Sequence, residues 1–371
     1  MLTMHPTLLI GPADWRGDRM PQEEFTRRID ALWRRDPQAE RAIVYGTPHR
    51  HAELAYFSNV TPKLEAAAAL LVRTGEHRLF LGGGVNMLDS ARPLTWIKQL
   101  SPLRDLIEVI RPGGSIRRTL IVGGDTMPLG FRRNLMEAAG IGPGVQDATE
   151  HVWMQMRRKS AFELAAIRDS AAAMRRACAV MLAALKSGAG VTEVISAGEL
   201  AANHEGAQDV RTLFSLDGGR TLQPFARRRA ERLDPLVLYL AVRRYNYWAE
   251  CFPLLALWPQ ANPLAKKARA AMAAVVPVIR AGTPADEIKA LIGASIAPCE
   301  THPLTARAFA QRMGIALHEP PHTDIGATFE DGEVYSVRIG ATDGAGQYGI
   351  CSQMISVGGD GNEVLSSAEA P

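Results

Sequence analysis

The sequence has 371 residues, enough for two domains of ordinary size, and its 47% apolar and 22% charged content fits a soluble globular chain with a large core. A formal net charge of +3 is too small to argue for nucleic acid, and no apolar run approaches the length of a membrane span. The N-terminus has no basic n-region and does not read as a signal peptide, and Cys178, Cys251, Cys299 and Cys351 show no C-x-x-C spacing, so reduced thiols in a cytoplasmic protein are expected.

Residues 1–155 read as an α/β domain. Buried-strand candidates are 41–45 (RAIVY), 66–72, 78–81 and 119–122, each beside Gly or Pro punctuation. Gly82-Gly83-Gly84 follows a strand but lacks the G-x-G-x-x-G continuation and a later acidic residue, so it reads as a turn. The basic run Arg227-Arg228-Arg229 reads as a solvated loop.

A boundary falls near residues 154–159, and residues 156–371 form the second domain. Ser160 and Glu163 have capping-box spacing. Leu164, Ile167, Ala171, Met174, Cys178, Met181 and Leu185 then recur on one helical face, which makes Cys178 a core residue. Gly188 is placed to cap this helix. The second domain repeats itself weakly: Gly188 and Gly282 each end a helix, Asn262-Pro263 and Thr283-Pro284 have N-cap and N1 chemistry, and apolar hairpins follow at 235–258 and 333–357. Two αα-then-ββ halves of this kind would place a pocket between the hairpins.

Residues 314–337 (GIALHEPPHTDIGATFEDGEVYSV) are the densest chemistry in the chain. His318-Glu319-Pro320-Pro321-His322 matches H-E-x-x-H, a zinc-protease pattern that works only on a helix. Pro320 and Pro321 forbid that helix, and Glu319 before a proline is driven to extended geometry. His318 therefore sits on an extended segment ahead of a rigid turn.

Taken in order, these motifs resemble the creatinase, aminopeptidase P and prolidase family. The resemblance rests on Arg158-Lys159-Ser160 with Glu163, on Leu233-Asp234 before VLYLA, and on His318-Glu319-Pro320-Pro321. It rests also on the strand from Gly332 to Ile339 and on Tyr56-Phe57-Ser58-Asn59 in the first domain. It implies two domains: a creatinase-type α/β domain and a pita-bread domain of two ααββ halves, of the α+β kind.

The peptidases of this family bind two divalent metals through two aspartates, a histidine and two glutamates. The resemblance carries those positions onto Tyr239, Glu250, Gln311, Arg338 and Ser352. Only Glu250 keeps a carboxylate, and Arg338 brings a permanent positive charge. Two dications need several anionic or imidazole ligands at once, so no metal and no other cofactor is expected.

Glu250 and Arg338 then have two readings: a structural pair between hairpins, or anchors for a substrate amine and carboxylate. His318 is the acid/base candidate, against a core histidine bonded to backbone. His322 reads as a loop residue. Cys251 and Cys351 read as packing, and Tyr245, Tyr247 and Trp248 as cross-strand contacts. Creatinase shows that the family's fold hydrolyses a C–N bond without metal, but the stretch where its basic histidine falls, 217–229, contains none, with Gln223 or Phe225 near that position.

The first hypothesis is a metal-independent hydrolase or lyase of a small zwitterionic or carboxylate-bearing compound, with His318 as acid/base. Glu250, Arg338, Tyr239, Gln311 and Ser352 would bind the substrate. The second is a non-catalytic descendant that uses the same cavity or surface for binding. The resemblance also implies a homodimer, with Asn59 or Lys63 reaching the partner's pocket.

Overall fold

The computed structural model describes residues 14–83, 88–111, 118–139, 145–217, 221–224, 231–257, 262–306, 308–320, 327–344 and 346–367. The chain packs as two compact units, Met1–Met156 and Arg157–Pro371. Among the described residues, no helix is long and apolar enough to cross a membrane.

The first unit begins with α1 (Gln22–Arg35), whose Phe25, Ile29, Leu32 and Trp33 are buried on one stripe. Glu23 and Glu24 lie in its first turn and Arg34 and Arg35 in its last, complementing the helix dipole. It is followed by β1 (Arg41–Gly46), α2 (Ala52–Ser58), β2 (Ala67–Val72), β3 (Arg78–Leu81), α3 (Leu88–Ala91), β4 (Gln99–Pro102), α4 (Leu106–Ile110), β5 (Thr119–Val122), α5 (Leu129–Ala138), β6 (Val145–Asp147) and α6 (Thr149–Arg157).

The six strands form one mixed sheet in the order β4-β3-β2-β1-β5-β6. β1 lies inside it and is buried at every position; Ala42 to Tyr45 are an apolar run, and the buried Arg41 before them donates to Thr119 Oγ1 and the Ile110 carbonyl, each at 2.7 Å. Ile43, Tyr45, Leu70, Phe80, Ile121 and Leu135 make the core on one side. Gly82 donates to the Ala66 carbonyl and Gly83 to the Glu65 carboxylate, so this glycine pair turns the chain; Gly84 lies outside the described residues.

The second unit runs α7 (Ala161–Lys186), α8 (Val191–His204), β7 (Asp209–Phe214), β8 (Leu236–Arg244), β9 (Tyr247–Cys251) and β10 (Leu254–Leu255). Its second half is α9 (Pro263–Val275), α10 (Ala285–Ile296), β11 (Glu300–Thr301), α11 (Pro303–Ala306), β12 (Ala310–Arg312), β13 (Val334–Thr342), β14 (Tyr348–Ser356) and β15 (Glu363–Ser367). This is helix pair, sheet, helix pair, sheet. Ser160 and Glu163 form both bonds of the capping box at the start of α7. Asn262 caps α9 through the Ala265 amide, with Pro263 in the first turn.

The start of α10 differs from the sequence expectation. Thr283 does not cap it; its hydroxyl accepts from the Arg280 amide, and the helix begins at Ala285 after extended Pro284. The Ala285 amide instead donates to the Ala327 carbonyl.

The β8–β9 hairpin turns at Tyr245 and Asn246, both with positive φ of 47° and 67°. Consecutive left-handed residues give the turn twist that two-residue hairpins favour. β13 and β14 pair in register over their whole length, with Arg338 opposite Ser352. The two hairpins meet where the Glu250 amide donates to Met354 Sδ at 3.4 Å and the Phe252 amide to Ser352 Oγ at 2.8 Å.

Candidate functional site

Side chains two apart on a strand share a face. On β8, Tyr239 and Ala241 share one face, and Ala241 stands opposite Glu250 on β9. On β13, Ser336 and Arg338 share one face, opposite Gln311, Met354 and Ser352. These two faces meet around one carboxylate.

Glu250 is 1% exposed and is the hub. Tyr239 Oη donates to its Oε2 at 2.8 Å. Arg338 donates to its Oε1 through Nε at 3.1 Å and also through Nη2. His318 Nε2 lies 3.6 Å from Oε2. Burial alone would raise the Glu250 pKa, but Arg338 and His318 outweigh it and hold the group at about 2. Tyr239 moves the other way: burial, then the Glu250 charge, raise its hydroxyl above the ordinary range.

Only one member of this group reaches solvent: the His318 side chain is 45% exposed, whereas Glu250 is sealed and Arg338 is 7% exposed. The guanidinium also lies over the Phe252 ring, 4.8 Å from its centroid, and Tyr239 packs against the same ring. Glu250 and Arg338 are thus closed on each other rather than open as separate anchors.

The remaining positions divide. Ser352 Oγ is occupied by the Phe252 amide, and Gln311 is buried with its amide on the Arg312 carbonyl at 3.5 Å. Asn59 lies in the first unit, where its amide bonds to the Leu94 carbonyl at 3.0 Å, and Lys63 is half-buried there. Cys251 points away from Glu250, toward α7, with its sulfur 3.6 Å from that of Cys178. Both are free thiols, and the hydrogen bond with Cys178, then burial, raise the Cys251 pKa well above the usual value. Cys351 packs in the apolar core of the second half. Tyr247 donates to Glu163 at 2.9 Å. Arg227–Arg229, Phe225, Trp258, Pro321 and His322 lie outside the described residues.

The loop bearing His318 is not helical, which removes the zincin geometry. It is fixed by a pair that the sequence reading missed. Lys159 Nζ meets Glu319 Oε2 at 2.5 Å, with both side chains almost fully buried. Glu319 Oε1 packs over Gly314, where no Cβ would fit. Lys159 and Glu319 each stood in a recognised motif, but nothing in their spacing joins them. Phe252 and Met354 were also missed, although strand alternation from Glu250 and Ser352 places them on the site face.

Tyr239, Glu250, Gln311, Arg338 and Ser352 supply one carboxylate, and a guanidinium already occupies it. That donor set does not fit a pair of divalent ions. Among the described residues, no group of three His, Cys, Asp or Glu is placed to hold a metal.

No protein-family model matches the sequence, and no curated protein matches it. Solved structures do match. The X-Pro aminopeptidase of Thermotoga maritima superposes with a TM-score of 0.73 at 14% identity, over 92% of this chain and 97% of that one. Aminopeptidase P of E. coli gives 0.74 at 14% identity, over 95% of each chain. The prolidase of Pyrococcus horikoshii gives 0.71 at 15% identity, over 94% and 99%. The chain has the pita-bread fold of these peptidases. The pita-bread unit carries Glu250, Arg338 and His318, and its two hairpins are the elements that bring them together.

Proposed function

We propose that this pita-bread protein is a metal-independent hydrolase of a C–N bond in a small carboxylate-bearing compound, with His318 as acid/base. The observation that carries the reading is the buried Glu250 carboxylate lying 3.6 Å behind the half-exposed His318 ring. A base oriented by a buried anion is the arrangement that activates a weak nucleophile. Arg338 keeps that anion ionised, and the Tyr239 hydroxyl holds it in place.

With Nε2 toward Glu250, Nδ1 is the ring nitrogen left to the substrate. His318 takes a proton from water as the water oxygen bonds to the carbonyl carbon. Glu250 stabilises the imidazolium formed. His318 then gives the proton to the departing nitrogen as the C–N bond breaks, leaving an acid and an amine. The test is turnover of a panel of small amides and Xaa-Pro dipeptides, with chelator present. Wild type should act on at least one compound, and His318→Ala should lose at least about a hundredfold, within the usual range for a general acid/base. No turnover by wild type, turnover that needs added metal, or turnover that survives His318→Ala sinks the reading.

The closed Glu250–Arg338 pair favours a second reading, a non-catalytic protein that retains the fold for binding. Native mass spectrometry that finds a carried small molecule, in a protein inert across the panel, would select it. The same family reading includes a homodimer with residues 56–63 at the partner's site, which light scattering tests.

A further inference from the structure

If Arg338 is closed on Glu250, a substrate carboxylate needs another cation, and β7 offers one. β7, β8 and β9 align so that Arg211, Ala241 and Glu250 form one row across three strands. Their side chains share a face, since directly paired residues do. The opposite face is closed by α7, where Cys178 meets Cys251 and Glu163 meets Tyr247. Arg211 is therefore on the site side, separated from Glu250 by a single alanine. Two strand spacings are roughly 9–10 Å, a gap that a small molecule can bridge.

The Arg211 side chain is 55% exposed. Its guanidinium lies 4.8 Å from the centre of the Trp248 ring, and its Asp209 contact is loose at 3.7 Å. Trp248 is itself fixed, since its amide donates to the Gly314 carbonyl in the loop that carries His318. Arg243 lies over the same indole at 5.2 Å. Asp209 is 4.0 Å from Arg243, so one carboxylate stands beside two guanidiniums. The Arg211 charge also reaches the hub: like Arg338, it opposes the rise that burial and Glu250 impose on the Tyr239 hydroxyl.

We propose that Arg211, braced on Trp248, receives the carboxylate of the substrate at this site. The proposal rests on the functional reading above and assigns it a ligand class: small monocarboxylates, with the anionic end toward β7 and the reacting end toward His318. Nothing in the sequence marks Arg211, because an arginine in a polar edge strand carries no signature.

Two isosteric probes test it by NMR titration: N-acetylglycine and its neutral amide, N-acetylglycinamide. Wild type should bind the acid at least about tenfold more tightly than the amide, a 1.4 kcal/mol difference. Arg211→Gln should abolish that preference without moving the melting temperature, because the side chain is exposed. Arg211→Lys should recover part of it. Equal binding of acid and amide, no binding of either, or an unchanged preference in Arg211→Gln overturns the proposal. Binding and turnover fail separately: an acid preference that Arg211→Gln abolishes, in a protein inert across the whole amide and dipeptide panel, removes the catalytic reading alone. Turnover with no acid preference removes the anchor alone.

Discussion

Arg338 and Glu250 meet from two different sheets and share one carboxylate oxygen, which the guanidinium reaches through both Nε and Nη2. The contact ties β13 to β9 across the centre of the pita-bread unit. Both residues are buried, so removing either leaves the other charge without its partner in a dry interior. Arg338→Met should lower the unfolding free energy by about 3–5 kcal/mol, and Arg338→Met with Glu250→Gln should recover part of it. Urea denaturation of the three proteins checks this. A single variant that unfolds at the wild-type midpoint would show that the pair holds nothing together.

The same pair fixes the response to acid. Glu250 sits at about 2 when folded, against 4.5 for an ordinary glutamate. A depressed pKa contributes stability that is fully present above the unfolded value and disappears as pH falls through the folded one. The contribution, on the order of 3 kcal/mol, should be intact at neutral pH and should drain away between roughly pH 4.5 and 2. Comparing Glu250→Gln with wild type across that window isolates it. The stability gap between the two should narrow steadily on acidification; a gap independent of pH would rule the linkage out.

Much of this is legible in the sequence. The capping box at Ser160 and the helical stripe through Met174 and Met181 are local signals, and so is the alternating strand around Arg338, so α7 and β13 follow from sequence. The order of motifs then led to the fold. Whether Glu250 and Arg338 were open or closed was not legible, because it depends on how two hairpins distant in the chain approach each other. Lys159–Glu319 and Arg211–Trp248 were hidden for the same reason. Thr283 misled because its hydroxyl serves the preceding turn, which composition does not reveal.

Divalent ions supply another check. A metal that binds only the folded chain raises its stability, by about 2.7 kcal/mol at a hundredfold excess over its Kd. Arg338 occupies the one remaining carboxylate, so Mn²⁺, Co²⁺ and Zn²⁺ should leave the melting temperature unchanged. A rise that vanishes in Glu250→Gln would mean that an ion displaces the guanidinium, and the donor argument would fail.

Two glycines should respond to alanine in opposite directions. Gly314 lies under the buried Lys159–Glu319 pair, and a Cβ there would run into Glu319 Oε1 and come within 2.7 Å of Lys159 Nζ. Neither group can retreat easily. Burial already raises the Glu319 carboxyl pKa against the pull of Lys159, and the ammonium is almost fully enclosed. Gly314→Ala should cost about 1–3 kcal/mol, typical of overpacking. It should also shift His318, since the Trp248 amide and Glu319 fix both sides of that loop. Gly293 is different: it lies inside α10, and a Cβ would meet nothing within 4 Å. Gly293→Ala should stabilise the chain by about 0.4–1 kcal/mol, through the entropy of the unfolded state. Melting curves of both variants, with the His318 imidazole resonances followed by NMR, separate the effects. If Gly314→Ala melts like wild type and leaves those resonances in place, the Lys159–Glu319 pair does not position the His318 loop.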